Sequence, residues 1–127
     1  MANLILFRSS IICTIIHIGA LWYYPGVPSF YCYTLIRGTL LSIYNHGSTC
    51  IYAQQLDRWA MIKTFFINLA YINQTNTWMI AGPLMVLAVL LYMVSKCKWV
   101  SYGSSMIHAI AHMIITITHL IIIASFD

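Results

Sequence analysis

Charged side chains are scarce in this chain. They make up 6% of its 127 residues, against 61% hydrophobic residues, whereas a soluble domain carries roughly 25% charged residues. So few charges cannot cover a surface that faces water, and lipid must solvate most of the exterior. In lipid every backbone polar group has to be paired internally, which leaves helices or closed barrels. The apolar runs are long and do not alternate with polar residues, so the composition predicts an all-α, polytopic transmembrane bundle.

Two further absences narrow the functional classes. The four cysteines show no CxxC spacing, so neither a zinc ribbon nor a disulfide framework is indicated, and buried free thiols are expected. The six basic residues form no patch or stripe along the chain, and nucleic acid is therefore not an expected partner. We find no internal repeat and no low-complexity segment.

The apolar runs predict five spans in a single domain covering residues 1–127. The length fits about five spans of roughly 20 residues each. The first run lacks a small-residue cleavage site and is interpreted as a span rather than a signal peptide. Proline and glycine at 25–28 enforce the first turn. The predicted helices cover about 4–24, 30–53, 56–72, 78–95 and 104–125.

The basic residues predict the orientation of the bundle. With five spans, Arg8, Arg58, Lys96 and Lys98 gather on one side of the membrane, and the other side has no basic residue. The positive-inside rule then places the amino terminus in the cytoplasm. The sequon at 73–75 falls on the opposite, lumenal side, which is compatible with this orientation. We expect a multi-pass protein of an endomembrane.

Three histidines have a spacing typical of a metal site. His108 and His112 are four residues apart on the last helix and therefore share one face. This is the spacing with which a helix offers two ligands to one zinc ion. Catalytic zinc takes three protein ligands and keeps a fourth position for water. With His46 from the second helix, the chain can supply all three.

Two more residues are expected beside this site. Ser42 precedes His46 by one helical turn, and Asp57 opens the third helix. In antiparallel spans Asp57 and the three histidines lie at one depth, towards the cytoplasmic end, where a carboxylate can orient ligands or carry a proton. Intramembrane ionisable groups are costly, which favours function over filler. The rival interpretation is that such polar residues only form hydrogen bonds between helices. We expect this role for His119 and His17.

The same residues resemble a known family. Ser42-Ile43-Tyr44-Asn45-His46, ten intervening residues, and Gln54-Gln55-Leu56-Asp57 with Met61 nearby resemble the second and third spans of alkaline ceramidases. His108-Ala109-Ile110-Ala111-His112 resembles the His-x-x-x-His of their last helix. The five positions also mark the CREST superfamily of membrane metal hydrolases, which contains the adiponectin-type receptors. Because those enzymes have seven spans, the resemblance indicates a reduced variant of about five spans.

The resemblance implies a zinc ion held by His46, His108 and His112, with Asp57 and Ser42 as catalytic residues. The expected reaction is hydrolysis of a lipid amide or ester that enters from the bilayer. Asp57 would take and return the proton, and Ser42 would donate a hydrogen bond to the oxyanion or position the water. The expected partner is membrane lipid.

Two other interpretations stay open at this point. A membrane anchor subunit of a respiratory complex would use His46 and one histidine of the last helix to ligate a b-type haem from opposite faces. Such anchors also show a histidine followed by an aspartate, but they require neither Ser42 nor the second histidine. A non-catalytic structural membrane subunit would hold no metal.

Overall fold

The computed structural model describes residues 3–97 and 103–126, and within these ranges it is all-helical. The predicted all-α class is confirmed. Lys98 lies outside the described residues. The helices are α1 (Leu4–Tyr23), α2 (Ser29–Gly47), α3 (Ile51–Thr75), α4 (Trp78–Ser95) and α5 (Ser104–Ala124).

Three of the helices are long and apolar enough to cross a membrane. They are α1, α4 and α5, each with a mean hydropathy of 2.0 over its best window. Large apolar side chains on their outer faces are exposed, among them Ile15, Met79 and Leu90, as expected where lipid is the solvent. The chain is therefore a membrane protein. The other two helices, α2 and α3, carry more polar and charged residues, and spans at these positions remain a prediction.

The boundary between α2 and α3 was predicted wrongly. We expected α2 to continue to residue 53 and α3 to begin at 56, but α2 ends at Gly47 and α3 begins at Ile51. Ser48 takes an extended backbone conformation. At Gly47 an added Cβ atom would lie 2.9 Å from the Phe7 ring, so glycine permits α1 to approach the end of α2. Hydropathy alone carries no trace of this packing.

The end of α3 also differs from the prediction. The helix continues to Thr75 rather than to residue 72. Asn76 then adopts a left-handed conformation with φ of 54°, and its N–H donates to the carbonyls of Asn73 and Ile72. Asparagine tolerates this conformation and closes a helix much as glycine does. Residues 73–75, which lie beyond the predicted end of the helix, thus form its last turn.

Packing divides the bundle into an apolar end and a polar end. α5 packs against α1 and α4, and α2 packs against α1 and α3. Near the end where α1 finishes, Tyr31, Leu35, Ile72 and Ile122 form a buried apolar core. We call the opposite end, where α1 and α5 begin and α2 finishes, the N-terminal end. There Asn3 caps α1 through Leu6 N–H and donates its own N–H to the carbonyl of His46, which ties α1 to the end of α2.

Candidate metal centre

The three histidines of the predicted site come together at the N-terminal end of the bundle. His46 is in the last turn of α2, and His108 and His112 lie one turn apart near the start of α5. One ring nitrogen from each lies within 4.8 Å of the other two. His46 is 7% exposed and His108 4%, so the donors meet in a largely dry environment.

The spacing of the rings fits a single tetrahedral ion. A zinc–nitrogen bond of about 2.0–2.1 Å puts an imidazole centre about 3.2 Å from the metal, so three rings around one zinc have centres about 5 Å apart. The centre of the His46 ring lies 5.3 Å from that of His108 and 5.4 Å from that of His112. The centres of the His108 and His112 rings are 4.7 Å apart. The donor set is therefore of the right kind and at the right spacing.

One nitrogen of the triad, Nε2 of His46, is buried and has no hydrogen-bond partner among the described residues. A buried polar nitrogen without a partner costs free energy, on the order of 1–3 kcal/mol, and such groups in folded proteins call for an explanation. Ligation of a metal ion by His46 would supply the partner.

Hydrogen bonds from other side chains hold the two predicted catalytic residues. Nδ2 of Asn45 donates to Oδ2 of Asp57 over 2.6 Å, which fixes the carboxylate of α3 against the end of α2. Ser42 Oγ lies 2.9 Å from Ser10 Oγ on α1. Asp57 is only 6% exposed. Each residue is thus oriented before any ligand binds.

A cavity of about 470 Å³ connects these groups. Ser42, Asp57, His108 and His112 line it, whereas His46 does not. Most of the remaining wall is apolar. Ile62 and Phe66 of α3 and Val89 of α4 line the cavity and are also exposed on the outer surface, which brings the cavity to the surface between these two helices.

Positive charge borders the site at the end of α4. Lys96 Nζ lies 5.3 Å from the centre of the Tyr92 ring, and that ring in turn contacts His108, with centres 5.0 Å apart. Partial loss of hydration and the positive charge of Arg58 lower the pKa of Lys96, while the carboxylate of Asp57 opposes this shift.

His17 and His119 belong to a separate hydrogen-bonded network. Nε2 of His17 lies 2.8 Å from Nδ1 of His119, and the amide of Asn68 donates to Nε2 of His119 over 2.9 Å. Tyr31 donates to Oδ1 of Asn68, and Nδ1 of His17 pairs with the carbonyl of Cys13. All four ring nitrogens have partners, as expected for histidines that join helices. These two residues do not take part in the triad.

Several residues at the site escaped the sequence reasoning. Ser9 lies with its Oγ 2.9 Å from Nδ1 of His112, and Ser10 and Asn45 hold Ser42 and Asp57. One signal in the sequence could have indicated that α1 takes part in the site. Its apolar run contains polar residues at helical spacing, which mark a face turned towards protein: Ser10, Cys13, Thr14 and His17. No pattern in the sequence pointed to Asn45.

Comparison of the chain with models of protein families, with curated proteins and with solved structures gives no match.

Proposed function

We propose that this membrane protein is a zinc-dependent intramembrane hydrolase of a lipid amide or ester, similar to the alkaline ceramidases within the CREST superfamily. The observation that carries the proposal is the triad itself. Three imidazoles from α2 and α5 have ring centres 4.7–5.4 Å apart, and one of their nitrogens is buried without a partner. A carboxylate and a hydroxyl line the cavity beside them.

The proposed roles follow from the placement of the side chains. His46, His108 and His112 would hold the ion, which when bound supplies Lewis-acid chemistry and acidifies water. Asp57, held by Asn45, accepts a proton and returns it to the leaving group. Ser42 donates a hydrogen bond to the oxygen on which charge develops. Burial strengthens each of these interactions because the local dielectric constant is low.

The cavity favours a lipid substrate. Most of its lining surface is apolar, and its edge reaches the outer surface between α3 and α4. An acyl chain can enter there from the bilayer with its carbonyl group directed to the polar end. Along α5 the cavity reaches from His112 to His119. These residues are seven positions apart, or about 10 Å along the helix axis.

Elemental analysis of the detergent-purified protein tests the proposal. We expect about one zinc per chain, because three imidazoles at this spacing can hold one zinc ion and leave its fourth coordination position for water. An absorption spectrum belongs to the same experiment. A Soret band would instead indicate the b-type haem of a respiratory anchor subunit, and protein without any metal would indicate a structural subunit; either result refutes the hydrolase.

The arrangement of the rings already favours zinc over haem. A haem iron takes two axial imidazoles on opposite faces of a flat macrocycle, with ring centres about 6 Å apart or more and the macrocycle between them. Here three rings converge, and the centres of His46 and His108 are 5.3 Å apart.

We also propose that five spans cross the membrane with the amino terminus in the cytoplasm. In sealed microsomes with the cytoplasmic face outward, a membrane-impermeant maleimide should then label Cys97, which is exposed at the end of α4. The protein for this test carries alanine at the other three cysteines. Its matched control keeps no native cysteine and carries Gln74→Cys at the opposite end. This second site should react only after permeabilisation.

The reverse pattern, with Cys97 protected and Gln74→Cys labelled, would invert the orientation and put the metal centre at the lumenal face. Labelling of both sites from outside would show that α4, which lies between them, does not cross the membrane, and this would contradict the five spans.

A further inference from the structure

The hydroxyl of Ser9 stands between a backbone carbonyl and a histidine of the triad. Its Oγ lies 3.0 Å from the carbonyl oxygen of Leu6 in the preceding turn of α1 and 2.9 Å from Nδ1 of His112 on α5. Ser9 is buried, and so is its bond to Leu6. No other side chain among the described residues is bonded to a ring nitrogen of the triad.

The chemistry of the three groups couples the directions of these two bonds. A carbonyl oxygen can only accept, and a serine hydroxyl has a single hydrogen. When that hydrogen is donated to Leu6, the contact with His112 can form only if Nδ1 carries the hydrogen and Ser9 Oγ accepts it. A neutral imidazole with its hydrogen on Nδ1 has its lone pair on Nε2.

We infer that Ser9 is a positioning residue that fixes His112 in the Nδ1–H tautomer, so that Nε2 presents its lone pair to the metal centre. The inference deepens the proposed function and rests on it. Ligand histidines generally donate their second ring N–H to an oxygen, which sets both tautomer and ring orientation. Here α1, which contributes no ligand, would supply that oxygen.

α1 packs beside the triad and is bonded to the site at four positions: Asn3 at the carbonyl of His46, Ser9 at Nδ1 of His112, Cys13 at the carbonyl of His112 and Ser10 at Ser42. Of these, only the bond from Ser9 reaches a ring nitrogen, and so only this bond can select a tautomer.

Nitrogen NMR of the protein labelled with ¹⁵N-histidine tests the inference, using metal-stripped protein in detergent micelles. The signals of His112 are identified by their loss in His112→Gln. In the native protein we expect a protonated Nδ1 and an unprotonated Nε2. In Ser9→Ala the Nε2–H tautomer should become populated, and the affinity for zinc should fall about 10–100-fold. Ser9→Thr keeps a hydroxyl and should restore both properties.

Thr14→Val is the matched control. Thr14 is a second buried hydroxyl on α1 and donates only to the carbonyl of Ser10, so its loss should change neither the tautomer nor the zinc affinity. A native His112 protonated at Nε2 would overturn the inference, even if Ser9→Ala failed to fold. Unchanged tautomer populations in folded Ser9→Ala would do the same. If the native protein binds no zinc, the proposed hydrolase fails, and the tautomer still decides the role of Ser9.

Discussion

Alanine in place of His46, His108 or His112 is expected to reduce bound zinc from about one ion per chain to a small residual fraction. Each histidine supplies one of only three protein donors, and a three-ligand site that loses one donor loses much of its chelation. The measurement is elemental analysis of each purified variant. Among the described residues no further histidine, cysteine or acidic side chain joins these three in a group with metal-ligand spacing.

His17→Ala and His119→Ala are the matched controls and should keep their zinc. Both histidines are buried, as His46 and His108 are, but their ring nitrogens form hydrogen bonds with each other, with Asn68 and with the carbonyl of Cys13. Their loss is expected to lower stability, since it leaves buried partners unsatisfied. Monodisperse elution should therefore be shown for every variant before its metal is counted.

Full zinc in all three triad variants would contradict the proposed centre, and hydrogen bonding between helices would then be the better account of these histidines. Loss of zinc in the His17 and His119 variants as well would show that metal content follows the integrity of the bundle rather than ligation.

Asp57→Asn is expected to leave the zinc in place and to lower hydrolysis of a lipid amide or ester by about 10²–10⁴-fold, the usual contribution of a general acid–base group. Asparagine keeps the size of the side chain and an oxygen that can accept the hydrogen bond from Asn45, but it cannot exchange a proton. The measurements are zinc content and the rate with a fluorogenic lipid amide or ester in mixed micelles.

Zinc content and hydrolysis rate together distinguish proton transfer by Asp57 from metal ligation by Asp57. Loss of both zinc and hydrolysis in Asp57→Asn would make the carboxylate a ligand or an essential support of the site. Undiminished hydrolysis with full zinc would remove Asp57 from the mechanism and leave Ser42 and the triad to be tested alone.

Asp57 and the triad illustrate why depth could be predicted from sequence. Helices joined by short turns run in alternating directions, so residue numbers translate into levels in the bundle at about 1.5 Å per residue. His46, Asp57, His108 and His112 therefore had to lie near one end. The i, i+4 spacing likewise required His108 and His112 to share a face. Neither rule says which faces of α2 and α5 turn towards each other.

The helix boundaries mark another limit of the sequence. Hydropathy placed α1, α4 and α5 to within a residue or two, because their ends coincide with prolines, lysines or glycine. The break between α2 and α3 lies several residues before its predicted position, at Gly47, where the ring of Phe7 leaves no room for a Cβ atom. That contact joins positions 40 residues apart and leaves no local signature.

By itself the sequence determined that lipid surrounds this chain, that the chain is helical, and that His46, Asp57, His108 and His112 lie near one end. Composition and period suffice for this, because solvation by lipid and helix geometry act on local stretches of chain. Only the tertiary structure decided that three imidazoles converge, that His17 and His119 pair with each other, and that Ser9 of α1 meets His112. Such contacts join residues about 100 positions apart, and they depend on how each helix is rotated about its axis, which packing sets.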